Sequence, residues 1–439
     1  MEQGVLLGVV GAVVPLALDY YVFRNWRRFA GSRRYRRRLG WTLPVYRVLM
    51  AVMPFVMPLY FAVSRWWEVE PKLARSLVIG LWITYYLPKA LVALVLLVKD
   101  GLRAVSWLFG WFQDHLLGSD DGPADGPAED PPAAPALDLA DIKRTSRRTF
   151  LREIGWSAAS VPFVLVGYSV FRTLYDFEVH RVDVPVAGLP RALDGLTIAQ
   201  LSDLHAGSFF SERPMQEAVD LVHDLRPDLV ALTGDFVNHD AAELALILPA
   251  LERLRADLGV YGCLGNHDHY ARIGDVVAGV RGSGVDLLVN EGRTFRIDGA
   301  RLHLAGTDNT GFYQHFADLP RALADLDVRE AAPGADEIRI LLAHTPTFWD
   351  SHVRPQHPEI DLMLCGHTHG GQVGFELGPL RYSLARVAYP RWAGLYREPR
   401  ADGEGAQALY VNRGVGTVGP PLRLGIRPEI TLLTLRRAA

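Results

Sequence analysis

Residues 196–205 read Leu-Thr-Ile-Ala-Gln-Leu-Ser-Asp-Leu-His, an apolar run that stops at Asp203 and His205. Apolar runs of this length, bounded by turn residues, are typical of buried β-strands. Four more runs end in polar residues: 228–235 (DLVALTGD), 260–268 (VYGCLGNHD), 337–344 (EIRILLAH) and 361–369 (DLMLCGHTH). In open α/β sheets, ligands bind at the carboxyl ends of the strands. The five runs therefore predict one polar site at a shared edge.

These strand ends carry carboxylates, imidazoles and one side-chain amide. Oxygen and nitrogen ligands of this kind suit divalent metal ions, and Mn, Fe, Zn and Co are all acceptable to them. The set is also large enough to hold two ions bridged by one carboxylate. Taken singly, each residue could equally shape a turn or cap a helix. The combination favours a metal site built from side chains at these five strand ends.

The motif order Asp-x-His, Gly-Asp, Gly-Asn-His-Asp, His, Gly-His-x-His resembles that of the calcineurin-like metallophosphoesterase superfamily. The resemblance runs from about Leu196 to the C-terminus and includes every motif of that family. The tail from Val411 to Ile430 looks like that of the bacterial, membrane-anchored and exported branch. The resemblance implies a metal-dependent phosphoester hydrolase with an α/β fold, a four-layer αββα sandwich.

The resemblance also assigns a role to each motif residue. Asp235 is expected to bridge two ions, and a water shared by the ions becomes a hydroxide that attacks phosphorus. His267 is expected to donate a proton to the leaving oxygen or to stabilise the transition state, and Asp268 to orient the His267 imidazole. The first ion would be bound by Asp203, His205 and His369, and the second by Asn266, His344 and His367.

Two residues are candidates for contact with the substrate. Arg413, at the end of a predicted strand, and His269, just after the Gly-Asn-His-Asp turn, are candidate substrate-binding residues. Residues 378–399 are rich in arginine and aromatic side chains, which suit a lid that grips a phosphate and a ring. A loop packed on the sheet edge is an equal alternative.

Residues 177–286 alternate predicted strands and helices, and mainly strands follow. One of the predicted helices spans residues 241–256. Two sheets packed face to face, with helices on both outer sides, would account for this pattern. The predicted catalytic domain therefore comprises residues 177–439.

Residues 1–117 are predicted to form a membrane region with three helices at 4–23, 43–63 and 76–98, each close to the length that a bilayer requires. Between Arg24 and Arg47 there are nine arginines and no acid, which favours a cytoplasmic first loop. The N-terminus is then expected outside the membrane.

Residues 118–145 form a linker rich in proline, alanine and aspartate, which we expect to be disordered. Residues 146–176 contain Ser-Arg-Arg-Thr-Phe-Leu-Arg before an apolar stretch. The motif resembles a twin-arginine export signal, and an ordinary juxtamembrane arginine cluster is the alternative. As a fourth transmembrane helix, this segment would place the catalytic domain outside the cytoplasmic membrane of a bacterium, with a twin-arginine translocase as an export partner.

These inferences combine into a membrane-anchored binuclear-metal phosphoesterase acting on phosphomonoester, phosphodiester or pyrophosphate bonds. A membrane location favours lipid-linked or wall-linked substrates. Nucleic acid is a poor candidate, since residues 177–439 contain no lysine and no basic groove is evident. The alternatives are a catalytically silent metal-binding scaffold and a membrane sensing or transport module.

Overall fold

The computed structural model describes residues 2–33, 35–64, 72–116, 155–157, 160–161, 163–311, 314–326, 337–377, 380–400, 403, 405–419 and 421–438. The predicted linker at 118–145 and the Ser-Arg-Arg motif lie outside the described residues. The chain divides into two compact units. One comprises residues 1–71 and 77–167, and the other comprises residues 72–76 and 168–439.

The first unit is helical. Within its described part, the helices include Glu2–Ala30, Arg36–Leu39, Thr42–Ser64 and the long Lys72–Leu116, which extend beyond the predicted spans. Among the described residues, one stretch, Thr42–Tyr60, is long and apolar enough to cross a membrane by length and composition. The predicted number of spans therefore stays a prediction.

A buried ion pair joins two of these helices. Lys89 Nζ donates to Asp19 Oδ1 over 2.5 Å, and both side chains are almost fully buried. The hydroxyls of Tyr85 and Tyr86 donate to the same carboxylate over 3.2 and 2.9 Å. An unpaired charge is costly in an apolar environment, so these contacts make the burial of Asp19 and Lys89 tolerable.

The second unit contains two six-stranded sheets. In spatial order, the first sheet consists of β1 (Glu178–Val186), β16 (Glu429–Arg437), β2 (Thr197–Leu201), β3 (Leu229–Thr233), β4 (Val260–Cys263) and β5 (Asp286–Leu287). The second sheet consists of β14 (Gly394–Pro399), β15 (Ala406–Val411), β11 (Leu362–Cys365), β10 (Glu337–Leu342), β7 (Ala300–Gly306) and β6 (Glu291–Ile297). The strands β2 to β5 are parallel, as are β7, β10, β11 and β15. Two small ribbons pair β8 (Thr310–Gly311) with β9 (Gln314–His315) and β12 (Gly374–Leu377) with β13 (Leu380–Ser383).

The cores show how the layers stack. Apolar side chains of both sheets, such as Ile198 and Leu364, share one buried core. The other face of the first sheet packs on helices that include Arg213–Leu225 and Ile273–Gly282. The other face of the second sheet packs on segments that include Leu319–Ala324. The predicted α/β fold is therefore confirmed, with its layers in the order helix, sheet, sheet, helix.

Shorter helical segments complete this unit. The α-helices are Leu248–Leu251, Asn266–Tyr270 and Arg354–Gln356. The 3₁₀ turns are Arg191–Leu193, Ala206–Ser208, Ala241–Leu246, His369–Gly371 and Leu384–Val387, and the π-helical turns are Ser169–Thr173 and Trp349–Val353.

The single helix predicted at residues 241–256 was wrong. A 3₁₀ segment, Ala241–Leu246, is followed by the four-residue helix Leu248–Leu251. Pro249 explains the break, because proline has no N–H to donate and its ring clashes with the preceding turn. The Asp240 side chain caps the first segment by accepting a hydrogen bond from the Ala242 amide over 2.9 Å.

The end of the predicted fourth span is folded into the second unit. Ser169 Oγ donates to the Arg423 carbonyl and accepts from the Arg423 amide, both over 2.8 Å. Thr173 Oγ1 donates to the same carbonyl over 2.6 Å. The second unit therefore includes residues 168–176, which precede the predicted domain boundary at residue 177.

Candidate metal centre

Both sheets deliver polar side chains from the carboxyl ends of parallel strands. In the first sheet, Asp203 and His205 follow β2, Asp235 follows β3 and Asn266 follows β4. In the second sheet, His344 follows β10, and the Gly-His-Thr-His turn follows β11. Because the sheets pack face to face, these ends come together at one rim of the sandwich.

Five of the seven predicted ligands have a left-handed backbone, with φ between 43° and 71°: Asp203, His205, Asp235, His367 and His369. Residues other than glycine rarely adopt this conformation, since Cβ clashes with the backbone. Such strain persists only where the surrounding structure enforces it, and it clusters at functional sites. The turns are therefore shaped to aim these side chains rather than to minimise local energy.

The first cluster contains Asp203, His205 and His369, with one possible ligand atom from each lying within 4.8 Å of the others. His369 Nε2 is 3.2 Å from Asp203 Oδ1 and 3.0 Å from His205 Nε2. His205 Nδ1 lies 3.0 Å from Asn238 Oδ1, which fits a proton on Nδ1 and a lone pair on Nε2.

The second cluster contains Asp235, His344 and His367, again within 4.8 Å of one another. His367 Nδ1 is 3.2 Å from His344 Nε2, which is 3.0 Å from Asp235 Oδ2. His344 Nδ1 donates to the Thr233 carbonyl over 2.7 Å. Asp235 Oδ2 is also 3.5 Å from His205 Nε2, so this one oxygen adjoins both clusters.

The unsatisfied atoms of the site fit bound cations. Asn266 Oδ1 is buried without a hydrogen-bond partner among the described residues, while its Nδ2 donates to the Tyr270 hydroxyl over 3.0 Å. An orphaned buried oxygen costs free energy unless a donor or an ion meets it. Mixed carboxylate, imidazole and amide donors are a suitable ligand set for a divalent transition metal.

Burial and mutual charge set the protonation of the site. Burial lowers the pKa of His205 to about 3, and burial with the nearby His344 charge lowers that of His367 to about 3. Burial raises the pKa of Asp203 to about 6. Burial works against charge on His344, yet the Asp235 carboxylate raises the pKa of His344 to about 10. His205 and His367 are therefore neutral at pH 7, whereas an ion must displace a proton from His344.

His267 lies beside the clusters and has its own oxygen partner. One of its ring nitrogens lies within 4.8 Å of ligand atoms of His205 and Asp235. Its Nδ1 donates to the Asn238 carbonyl over 2.7 Å, and its backbone amide donates to Asp235 Oδ1 over 2.8 Å. The other ring nitrogen is left for proton exchange at the site.

The expected contact of Asp268 with the His267 ring needs correction. Asp268 is fully buried and accepts hydrogen bonds from four backbone amides at 2.8–3.3 Å, those of Gly265, Asp235, Phe236 and Val237. Its carboxylate therefore holds the turn that carries Asp235, while the Asn238 carbonyl holds the His267 ring. The backbone amides of a tight turn donate their hydrogen bonds to this carboxylate, and the sequence motif does not reveal that geometry.

Asn238 and Arg423 were missed by the sequence analysis. Asn238 contacts His205 through its side chain and His267 through its carbonyl. Arg423 is buried, and its Nη2 donates to the carbonyls of Arg413 and Gly414 over 3.0 Å. A Cβ on Gly414 would lie 2.7 Å from Asp203 Cβ, so Arg423 secures a loop that presses on a ligand. Neither residue lies in a recognisable motif.

The two weakly predicted substrate residues have other partners. Arg413 is 4% exposed and pairs with Glu376 over 2.7 Å. It lines a cavity of about 290 Å³ whose lining residues, in the described part of the chain, include none of the predicted metal ligands. His269 Nε2 is 2.6 Å from Asp308 Oδ1, and its ring stacks on Phe316. The structure therefore does not bring Arg413 or His269 into the ligand clusters.

Comparison with known protein families points to the family that the sequence motifs resemble. A family model described as calcineurin-like phosphoesterase matches residues 196–371. A second, described as a probable calcineurin-like phosphoesterase, transmembrane domain, matches residues 5–174. The uncharacterized metallophosphoesterase Cj0846 of Campylobacter jejuni is 31% identical over 275 residues, which are 62% of this chain and 67% of the relative. The chain belongs to the calcineurin-like metallophosphoesterase family.

Two further relatives carry the same family name. A Danio rerio transmembrane protein with a metallophosphoesterase domain is 31% identical over 64% of this chain and 62% of its own length. The uncharacterized metallophosphoesterase YkuE of Bacillus subtilis is 29% identical over 67% of this chain and 99% of its own length. The chain spans about three fifths of the length of the Danio rerio and Bos taurus relatives. Transmembrane relatives and the transmembrane family model indicate membrane association.

Proposed function

We propose that this protein is a membrane-anchored phosphoesterase that uses two divalent ions. The observation that carries the proposal is the position of Asp235 Oδ2, which is 3.0 Å from His344 Nε2 in one cluster and 3.5 Å from His205 Nε2 in the other. A carboxylate placed between two ligand sets suits a bridging role. Bound ions would activate a water for in-line attack and neutralise charge on the phosphoryl oxygens.

The residues of the chain divide the remaining work. Asp203, His205 and His369 would hold one ion, and Asn266, His344 and His367 the other. His267 would protonate the leaving oxygen, held in place by the Asn238 carbonyl that accepts from its Nδ1. Asp268 would act as a positioning residue, since it binds the amides of the Asp235 turn.

The location of the active site is part of the proposal. The transmembrane family model over residues 5–174, together with the arginine-rich 24–47 segment, supports membrane anchoring with the catalytic unit outside the cytoplasm. Phosphoesters or pyrophosphates at the outer membrane face, lipid-linked or wall-linked, would then be the accessible substrates. A reporter active only in the periplasm, fused after Ala439, should be active. Activity of a cytoplasm-only reporter at that position would overturn the orientation.

The activity itself is tested with the full-length protein in detergent. With Mn²⁺, the protein should hydrolyse bis(p-nitrophenyl) phosphate or p-nitrophenyl phosphate, and Asp235→Asn should abolish this hydrolysis. Comparing the two substrates separates diesterase from monoesterase preference. Stoichiometric Mn²⁺ binding without hydrolysis of any phosphoester in a broad panel would instead support the silent scaffold.

A further inference from the structure

The arginine-rich and aromatic-rich segment after the last ligand motif is anchored to that motif. We name residues 383–393 the cap. Ser383 Oγ donates to the Gly370 carbonyl, and Thr368 Oγ1 donates to the Trp392 carbonyl over 2.7 Å. Between these two contacts, the Tyr389 hydroxyl lies 2.9 Å from His367 Nε2. The start, middle and end of the cap therefore each contact residues 367–370.

The cap is also fixed from its other side. Ala385, Trp392 and Ala393 form a small apolar core with Ile426, and Tyr389 packs against it. Arg391 pairs with Asp350 and with Glu398, each over 3.0 Å. Of the two alternatives for this segment, the packed loop agrees with these contacts better than a mobile lid. The Tyr389 phenol is consequently held at a defined position.

Tyr389 occupies Nε2 of His367, which leaves Nδ1 as the ring nitrogen that faces the cluster. Nδ1 is 3.2 Å from His344 Nε2, and the ring belongs to the cluster formed with Asp235. A neutral imidazole has one N–H and one lone pair. If Nε2 donates its hydrogen to the Tyr389 oxygen, the lone pair of Nδ1 faces the cluster. The Tyr389 oxygen can accept that hydrogen, so the contact supports the tautomer in which Nδ1 is open for coordination.

We propose that Tyr389 is a positioning residue for the ion held by Asn266, His344 and His367. The inference rests on the proposed metal-dependent function. Mutation of a residue that orients a metal-bound histidine typically lowers the metal affinity 10–100-fold. Thr233 orients His344, and Asn238 orients His205. The loss of the Tyr389 hydroxyl should therefore weaken the binding of one of the two ions. Ion binding should, in return, stabilise the cap through the same hydrogen bond.

The test compares Tyr389→Phe with Tyr382→Phe in the full-length protein. Tyr382 lies just before the cap, is 44% exposed and stacks on Phe375, so it is a matched control. Calorimetric Mn²⁺ titration should give two sites in the wild type and in Tyr382→Phe. In Tyr389→Phe, one affinity should fall 10–100-fold. Its half-saturating Mn²⁺ concentration for hydrolysis should rise by the same factor, with near-normal kcat at saturating Mn²⁺.

Hydrogen exchange supplies a readout that needs no substrate. Mn²⁺ should slow exchange of peptides covering residues 384–396 in the wild type and in Tyr382→Phe, but much less in Tyr389→Phe. Unchanged affinities and exchange in Tyr389→Phe, or equal effects in Tyr382→Phe, would overturn the proposed role of Tyr389. In that case a wild type that binds two ions and hydrolyses phosphoesters leaves the proposed function standing. A wild type that binds no Mn²⁺ overturns both.

Discussion

At the scale of single residues, the neighbours of His267 define its role. Its Nδ1 donates to the Asn238 carbonyl. The predicted ligands His205 and His344 are oriented through Nδ1 by other groups, the Asn238 side chain and the Thr233 carbonyl. His267→Ala should therefore retain metal but lose about 10²–10⁴-fold in rate, the usual scale for the removal of a general acid. The measurement is kcat for an alkyl phosphodiester, whose poor leaving group needs protonation, with metal content determined on the same sample. Wild-type kcat in this variant would show that His267 is not the acid.

Asp268→Asn should behave differently from His267→Ala, although the residues are adjacent. An asparagine replaces one acceptor oxygen with an N–H donor that faces backbone amides at 2.8–3.3 Å. Loss of a buried hydrogen bond costs about 1–3 kcal/mol. We expect a lower free energy of unfolding and weaker metal binding, measured by denaturant titration and elemental analysis. Normal stability and metal content, with a lower hydrolysis rate, would mean that Asp268 acts in catalysis rather than by holding the Asp235 turn.

The strand-end positions of the candidate ligands could be predicted from the sequence, but the residues that hold these side chains in place could not. Asp203, His205, Asp235, Asn266, His344, His367 and His369 lie where motif order and strand ends placed them. Asn238, Tyr389 and Arg423 act through contacts made only in the folded chain. A hydrogen bond between residues distant in sequence leaves no local pattern. For the same reason, the motif could not reveal that Asp268 binds amides rather than an imidazole.

At the scale of elements, the glycines before the ligands are required by close packing. A Cβ on Gly265 would lie 2.7 Å from the Asp235 amide nitrogen and 2.8 Å from Asp235 Cγ. Gly265→Ala must therefore push β4 away from the Asp235 turn. We expect about 1–3 kcal/mol of destabilisation, the usual cost of overpacking, together with weaker metal binding. Gly274→Ala is the control, because a Cβ there meets nothing within 4 Å. Equal stability of the two variants, with normal metal content, would contradict this account.

In the catalytic unit the predicted strands were located closely, whereas one predicted helix was wrong. Buried parallel strands are continuous apolar runs with clear ends, so β2, β3, β4, β10 and β11 could be located closely. The segment at residues 241–256 has helical apolar spacing, yet Pro249 divides it into two short pieces. Local sequence preference was overridden there by a missing backbone donor.

At the scale of the whole molecule, the Asp19–Lys89 pair is a testable feature of the helical unit. Removing one partner of a buried ion pair leaves the other charge uncompensated and typically lowers the free energy of unfolding by about 3–5 kcal/mol. Asp19→Asn alone or Lys89→Met alone should destabilise the helical unit, as followed by thermal unfolding in detergent. The double variant should recover much of the loss, because neither charge is then unpaired. Additive effects in the double variant would mean that the two residues act independently.

The proposed activity requires both sheets, since neither alone carries a full ligand set. Asp235 comes from the first sheet and His344 from the second, and their side chains meet at 3.0 Å. The strand ends predicted a shared polar edge, but no spacing rule sets which side chains of the two sheets meet there. The most direct test is therefore the number of ions that the folded chain binds.

A crystal structure of the protein grown with Mn²⁺, refined against anomalous data, measures that number. We expect two ions per chain with Asp235 coordinated to both, and the loss of at least one ion in Asp235→Asn. A single ion, or two ions without Asp235 between them, would show that Asp235 does not bridge a two-ion site.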